Sequence, residues 1–197
     1  YIFSNQNFSQ VMKKQIVVLV LLAVVSASTV FAQGKYMTKN GHIEFFSATP
    51  MENIAANNDK VSSVLDSQTG KLDFALLIKA FEFEKALMQE HFNENYMESD
   101  KFPKSTFKGQ VVNISDVNFS KNGTYNVTVK GDLTIHGVTK TVETPGTITV
   151  KDGTVSANAK FSVALADYNI EIPKLVRDNI AKTIAITVAM NYQPYEK

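Results

Sequence analysis

The chain has 197 residues, 44% hydrophobic, 20% charged and 10% aromatic, enough for one domain with a sizeable core and too little for several. Its formal net charge of +1 argues against a nucleic-acid partner, which needs clustered excess positive charge. With no cysteine, a disulfide framework, a thiolate metal site, a cysteine nucleophile and a lipidated cysteine anchor are all excluded.

Residues 1–32 have the layout of upstream residues followed by a secretory signal peptide. Met12-Lys13-Lys14 supplies a positive start, Ile16 to Val25 an apolar run, and Val30 and Ala32 the small or tolerated residues of a cleavage site after Ala32. A membrane-spanning helix needs about 20 apolar residues, and this run stops at half that. Setting Lys13 and Lys14 aside lowers 20 basic residues to 18 against 19 acidic, a net charge of −1 for the expected mature domain, residues 33–197. That mature chain carries no integral membrane span.

From there the dominant signal is alternation of apolar and polar residues, the mark of half-buried strands. Ile43, Phe45 and Ser47 share one face of a first strand, and Val61 to Leu65 supply a short second one. After a turn at Gln68-Thr69-Gly70, Leu72, Phe74, Leu76 and Ile78 share a face. Glu84 to Met97 breaks the pattern and predicts a helix, with Met88, Phe92 and Tyr96 on one stripe; Pro103 disfavours helix at Phe102. Phe107, Gly109 and Val111 resume the strands, and Lys121-Asn122-Gly123 reads as a tight turn. Tyr125, Val127, Val129, Gly131, Leu133 and Ile135 form the longest alternating set. Then come Ile148 with Val150, a turn at Lys151-Asp152-Gly153, and the series Val155, Ala157, Ala159, Phe161 and Val163. Leu175 to Ala181 reads as short helix or irregular chain, and Ile184, Ile186, Val188 and Met190 close the pattern. Asn-Gly and Asp-Gly favour tight hairpins, so neighbouring strands are mostly antiparallel, and about eight one-sided strands hide their apolar faces in a sandwich or a barrel.

Three stretches carry a family resemblance: Lys35 to Ser47, Glu90 to Lys108 with its Phe-Pro-x-x-x-Phe entry into a strand, and above all Gly131 to Val142, GDLTIHGVTKTV. Over nearly all of residues 35–193 the chain resembles the YceI-like family of exported bacterial proteins, which bind polyisoprenoid and other long-chain lipids. The resemblance implies an all-β fold, an elongated eight-stranded antiparallel lipocalin-like barrel with one helix near the barrel end. Read from the residues alone, the Gly131–Val142 motif is a hairpin that pins register, with His136-Gly137 as its turn.

Ten of the 13 phenylalanines follow residue 32 and mostly occupy apolar faces, mixed with the small inward residues Ser47, Gly109, Gly131, Ala157 and Ala159. By themselves these fit either a solid core or a tubular cavity. The resemblance implies the cavity, with a bound isoprenoid or acyl chain held by Phe45, Phe74, Leu76, Ile78, Phe83, Leu87, Phe92, Phe107, Val127, Val129, Leu133, Phe161, Ile186 and Val188. Phe81, Phe83, Leu87, Met88 and Phe92 are candidates for a gate. Arg177, the chain's one arginine, is the candidate headgroup contact, weighed against a surface ion pair with Asp178.

No catalytic constellation is legible: there is no nucleophile elbow, His-Glu-x-x-His or phosphate-cradling glycine loop. His91 with Glu90, Glu94 and Glu98 reads as a solvated helix face, since zinc wants three or four converging ligands. His42 and His136 read as exposed residues without carboxylate partners. The expected function is that of a periplasmic or secreted bacterial binding protein, monomer or homodimer, whose partner is a hydrophobic small molecule rather than nucleic acid, with no covalent cofactor. The alternatives are a solid-core envelope stress or assembly protein acting through its surface, and an accessory protein presenting an isoprenoid substrate to an enzyme.

Overall fold

A computed structural model describes residues 34–195, and the signal-peptide expectation lies outside them. The alternating segments become β1 (Lys35–Ala48), β2 (Asn53–Asp66), β3 (Lys71–Leu77), β5 (Lys104–Val111), β6 (Gly123–Ile135), β7 (Val138–Lys151), β8 (Thr154–Ala164) and β9 (Thr183–Pro194), with a two-residue β4 (Glu82–Phe83). Every pairing is antiparallel. The order runs β1-β9-β8-β7-β6-β5-β3-β2, and β2 pairs back onto β1, which closes an eight-stranded barrel with β4 as an extra strand on β2. Closure removes the exposed edges of an open sheet.

Local chemistry explains the best-defined corner. His136 and Gly137 adopt φ of 50° and 74°, a mirror-image two-residue turn that matches strand twist. It launches an unbroken register from Ile135↔Val138 to Gly123↔Val150. Asp152 and Gly153 repeat the device between β7 and β8, with φ of 50° and 81°. Asn122-Gly123 does otherwise. The loop 112–122 joins β5 to β6, and Asn122 caps the neighbouring turn: its Nδ2 donates to Asp152 Oδ1 (2.8 Å) and its Oδ1 accepts from the Asp152 N–H (2.9 Å).

Antiparallel connectivity sorts the loops between two ends. The 67–70, 112–122 and 152–153 connections lie at one end, and the 49–52, 78–103, 136–137 and 165–182 connections at the other. At the first end the core is solid. Leu65, Ile148 and Tyr192 are each 1% exposed, Val150, Val155 and Val117 pack with them, and Tyr36 stacks on Phe119 at 5.5 Å. The Tyr192 hydroxyl shares a buried hydrogen bond with Ser63 Oγ at 2.8 Å.

Toward the second end the wall is paired on only part of its circumference. The β7–β8 ladder stops at Gly146↔Ala159, beside Pro145, which has no N–H to donate. The β2–β3 ladder stops at Ser62↔Ala75. Residues 165–170 and 78–97 pack over these two seams. Asn58, fully buried in β2, stitches the second: its Nδ2 donates to the Leu77 carbonyl (3.0 Å), and its Oδ1 accepts from the Lys60 N–H (3.0 Å).

The expected helix over Glu84–Met97 is shorter and ends differently. An α-helix, α1 (Ala86–His91), passes into a π-helical turn, Phe92–Tyr96, closed by the Met97 N–H on the Phe92 carbonyl at 2.9 Å. The 175–181 stretch carries a single 3₁₀ turn at Lys174–Val176. Ile78 heads a 3₁₀ turn rather than ending a strand, and is buried there.

Candidate functional site: a blind apolar cavity

The inward faces of the strands surround a cavity of about 360 Å³, within the range of small-molecule sites. Strand parity turns Ile43, Phe45, Phe74, Leu76, Val129, Ile135, Phe161, Ile186 and Val188 inward, yet each retains accessible surface because the space it faces is open. The cavity stops at Leu65, Leu72, Val111, Ile148 and Tyr192, where the solid end begins. It is therefore blind, rather than a tunnel through the molecule.

Thirteen of the residues singled out in the sequence line it: Phe45, Phe74, Leu76, Ile78, Phe83, Phe92, Phe107, Val127, Val129, Leu133, Phe161, Ile186 and Val188. Leu87 does not; it is 60% exposed on the outer side of α1. The Met88, Phe92 and Tyr96 stripe does face the interior. Phe92 of that stripe joins Phe45, Phe81 and Phe83 in one aromatic cluster, with ring centroids 5.0–5.6 Å apart. Such pairs add a modest increment beyond their buried area, so α1 is seated on a preformed apolar pad.

Sequence reading missed the lining contributed by loops: Tyr168 and Ile170 from 165–170, Val176 and Ile180 from 174–180, and Ile54 in the upper half of β2. Val176 and Ile180 are i, i+4 apolar residues amid charges, the one signal that could have found them. Ser47 and Ala159 also line the space, and Ser47 Oγ accepts the Ala181 N–H at 2.9 Å, which ties the 165–182 loop to β1. Gly109 and Gly131 differ from expectation. They face each other across β5 and β6 beneath the Phe107 ring, and a Cβ on Gly131 would lie 2.5 Å from the Lys108 carbonyl oxygen and 2.7 Å from Phe107 Cζ. They permit close strand approach; they do not enlarge the cavity.

Apart from tyrosines, the ionisable lining groups are few and sit near the open end. Glu52 and His91 are the charged or ionisable non-tyrosine side chains among the lining residues, and no lysine or arginine is among them. Glu52 joins three segments: Lys85 Nζ approaches its Oε1 at 3.5 Å, and Asn179 Nδ2 donates to its Oε2 at 3.2 Å. Burial pushes the Tyr96 and Tyr168 hydroxyls above the usual phenol range, so these lining groups stay neutral. Arg177 is exposed, lies outside the lining and forms no ion pair with Asp178 among the described residues.

Two histidines have the carboxylate partners that sequence spacing did not suggest. His42 Nδ1 lies 2.6 Å from Asp59 Oδ1. His136, only 10% exposed at its side chain, places Nε2 2.9 Å from Glu98 Oε2 and Nδ1 3.1 Å from the Tyr168 carbonyl, while Phe102 packs edge-on against its ring. Long-range partners of this kind leave no trace in local sequence. His136 thus braces the hairpin to both segments that cover the seams. No group of three or more potential metal ligands occurs among the described residues.

A comparison with curated proteins yields no match. Among solved structures, the fold is similar to a polyisoprenoid binding domain from Saccharophagus degradans implicated in plant cell wall breakdown (TM-score 0.73, 14% identity, covering 83% of this chain and 99% of that one). It is also similar to BcnA of Burkholderia cenocepacia (TM-score 0.64, 16% identity, 78% and 96% covered). A third is the Campylobacter jejuni YCEI protein (TM-score 0.51, 18% identity, 72% and 85% covered). These likenesses establish the barrel. The family model described as YceI-like domain matches residues 24–192. With that span matched, and the GDLTIHGVTKTV hairpin in place, the chain belongs to the YceI-like domain family.

Proposed function

We propose that this protein is an exported bacterial lipid carrier that holds one long-chain apolar molecule, a polyisoprenoid, isoprenoid quinone or fatty-acid derivative, in its cavity for transport, storage or shielding in the periplasm. The observation that carries this reading is the accessible surface left on inward-facing residues such as Phe74, Phe161 and Val188 around a blind apolar cavity. Each methylene moved from water into such a site contributes about 0.8 kcal/mol, so a long chain binds through area with few polar contacts. The thirteen lining residues found from sequence form the chain-binding wall, and Phe81, Phe83, Met88 and Phe92 the gate. No catalytic step is needed for this role. The polyisoprenoid-binding description of the Saccharophagus degradans relative is consistent with it.

The reading is tested by extracting purified protein with organic solvent and identifying the extract by mass spectrometry. One apolar lipid per chain is expected. A protein that neither carries a lipid nor takes up a fluorescent isoprenoid when offered one overturns the proposal.

A further inference from the structure

The buried polar side chains along the cavity are engaged by the protein itself, with one exception. Ser47 Oγ accepts the Ala181 N–H, Thr144 Oγ1 donates to the Pro145 carbonyl at 3.2 Å, and the Tyr192 hydroxyl is paired with Ser63. The exception is Tyr168. It is 2% exposed, packs in the apolar core and lines the cavity, yet its hydroxyl forms no hydrogen bond with any described residue. A buried tyrosine hydroxyl ordinarily finds a partner. Nor is this one sealed in: among the described residues, the enclosed side-chain polar atom left without a partner is Asn93 Oδ1. The Tyr168 hydroxyl therefore borders open space, and for a ring packed among lining residues that space is the cavity. Burial, and then the charge of Asp167, raise its phenol above the ordinary range, so it is a protonated donor. It is also a positioned one. The Tyr168 carbonyl is tied to His136 Nδ1 at 3.1 Å, and Asn169, with φ of 55°, ends the 3₁₀ turn that carries it.

We infer that Tyr168 reads the polar end of the guest: its hydroxyl donates to an uncharged oxygen, that of an alcohol, ester or quinone, and ionised carboxylates and phosphates are turned away. Charge decides the kind of oxygen. Glu52 lines the cavity with no lysine or arginine beside it in the lining. The four connections at the open end hold ten acidic residues against six basic ones. An anion entering there meets a field of its own sign, then loses its hydration beside Tyr168 with no cation to replace it. A neutral oxygen loses far less and gains the phenol's hydrogen bond. The inference rests on the carrier reading and narrows its guest to an uncharged lipid with an oxygen at one end.

The test is displacement of a fluorescent isoprenoid from the purified protein by geranylgeraniol, by geranylgeranyl phosphate and by a terpene hydrocarbon of the same chain length. The alcohol should bind about fivefold more tightly than the hydrocarbon, the scale of one hydrogen bond. The phosphate should bind at least about tenfold more weakly than the alcohol. Tyr168→Phe keeps the ring and removes the donor. It should bring the alcohol down to the hydrocarbon's level, with the thermal midpoint of the parent, since the hydroxyl holds nothing in the fold. Tyr195→Phe, at an exposed tyrosine of the solid end, should preserve the parent's ranking. A protein that takes up no isoprenoid at all defeats the carrier reading and this inference with it. Uptake with alcohol, phosphate and hydrocarbon ranked alike, or a ranking that Y168F preserves, overturns the role of Tyr168 and leaves the carrier standing. So does a fall in the stability of Y168F, which would mark the hydroxyl as structural.

Discussion

The two ends of the barrel are made from the same strands and finish in opposite ways. At one end every inward residue meets another: Leu65, Ile148 and Tyr192 are sealed, and the joining turns are short or capped by side chains. At the other, the inward residues meet open space, two ladders stop early, and loops fill the seams through a few polar ties. Stability is thus concentrated where the chain is packed, and capacity where it is not. Substitutions at the two ends should separate these properties.

The largest effect is expected at Gly131. A valine there collides with the Lys108 carbonyl and the Phe107 ring, and should cost about 3 kcal/mol or more, read as a large fall in thermal midpoint or loss of folded protein. Next, Ile148→Ala opens a void in the sealed end and should cost about 3 kcal/mol in chemical denaturation. Phe74→Ala, whose ring already borders open space, should cost less and instead weaken isoprenoid retention. If the two lose equal stability, the contrast between the ends is wrong.

Ala159→Phe should reduce isoprenoid retention about tenfold by filling space that guest methylenes would otherwise occupy, with circular dichroism unchanged. His136→Ala removes the brace to Glu98 and the Tyr168 carbonyl. It should cost about 1 kcal/mol, and hydrogen exchange should quicken in residues 92–98 and 165–170 while the sealed end stays protected.

The smallest effect is one of pH. Burial holds the Tyr192 phenol well above its ordinary value of 10.0, outweighing the opposing hydrogen bond from Ser63. Below pH 10 the tyrosine is protonated in both folded and unfolded chains and costs nothing. As pH rises past that value the unfolded phenol ionises while the folded one keeps its proton, so stability falls. Tyr192→Phe should flatten this alkaline decline, measured by denaturation at neutral pH and above pH 10. Equal slopes would remove Tyr192 as its source.

Sequence made the regular half of the molecule legible. Alternation through Tyr125–Ile135 and a His-Gly turn are local signals, and they yielded the β6–β7 register. The upper half of β2 was hidden because Asn53 to Lys60 is polar and alanine-rich; its buried Asn58 is satisfied by the Leu77 carbonyl, nineteen positions along the chain. Leu87 was misplaced because a six-residue helix shows the interior only a narrow stripe. Gly131 was assigned to the right face with the wrong consequence, since the overlying Phe107 ring is a matter of rotamer and not of pattern. Met88, Phe92 and Tyr96 were assigned correctly because their spacing survives the change from α to π geometry.

The early end of the β7–β8 ladder beside Pro145 has a mechanical consequence. Around the solid end each of the eight strands is paired on both sides, which acts as a hoop and fixes the girth. Above Gly146 and Ala159 the wall is a split sleeve, able to widen by sliding the 165–170 segment outward without rupturing a strand pair. Widening there costs the Leu165–Lys182 backbone hydrogen bond, the His136 tie to the Tyr168 carbonyl and side-chain contacts, while the hoop below keeps the barrel from unzipping.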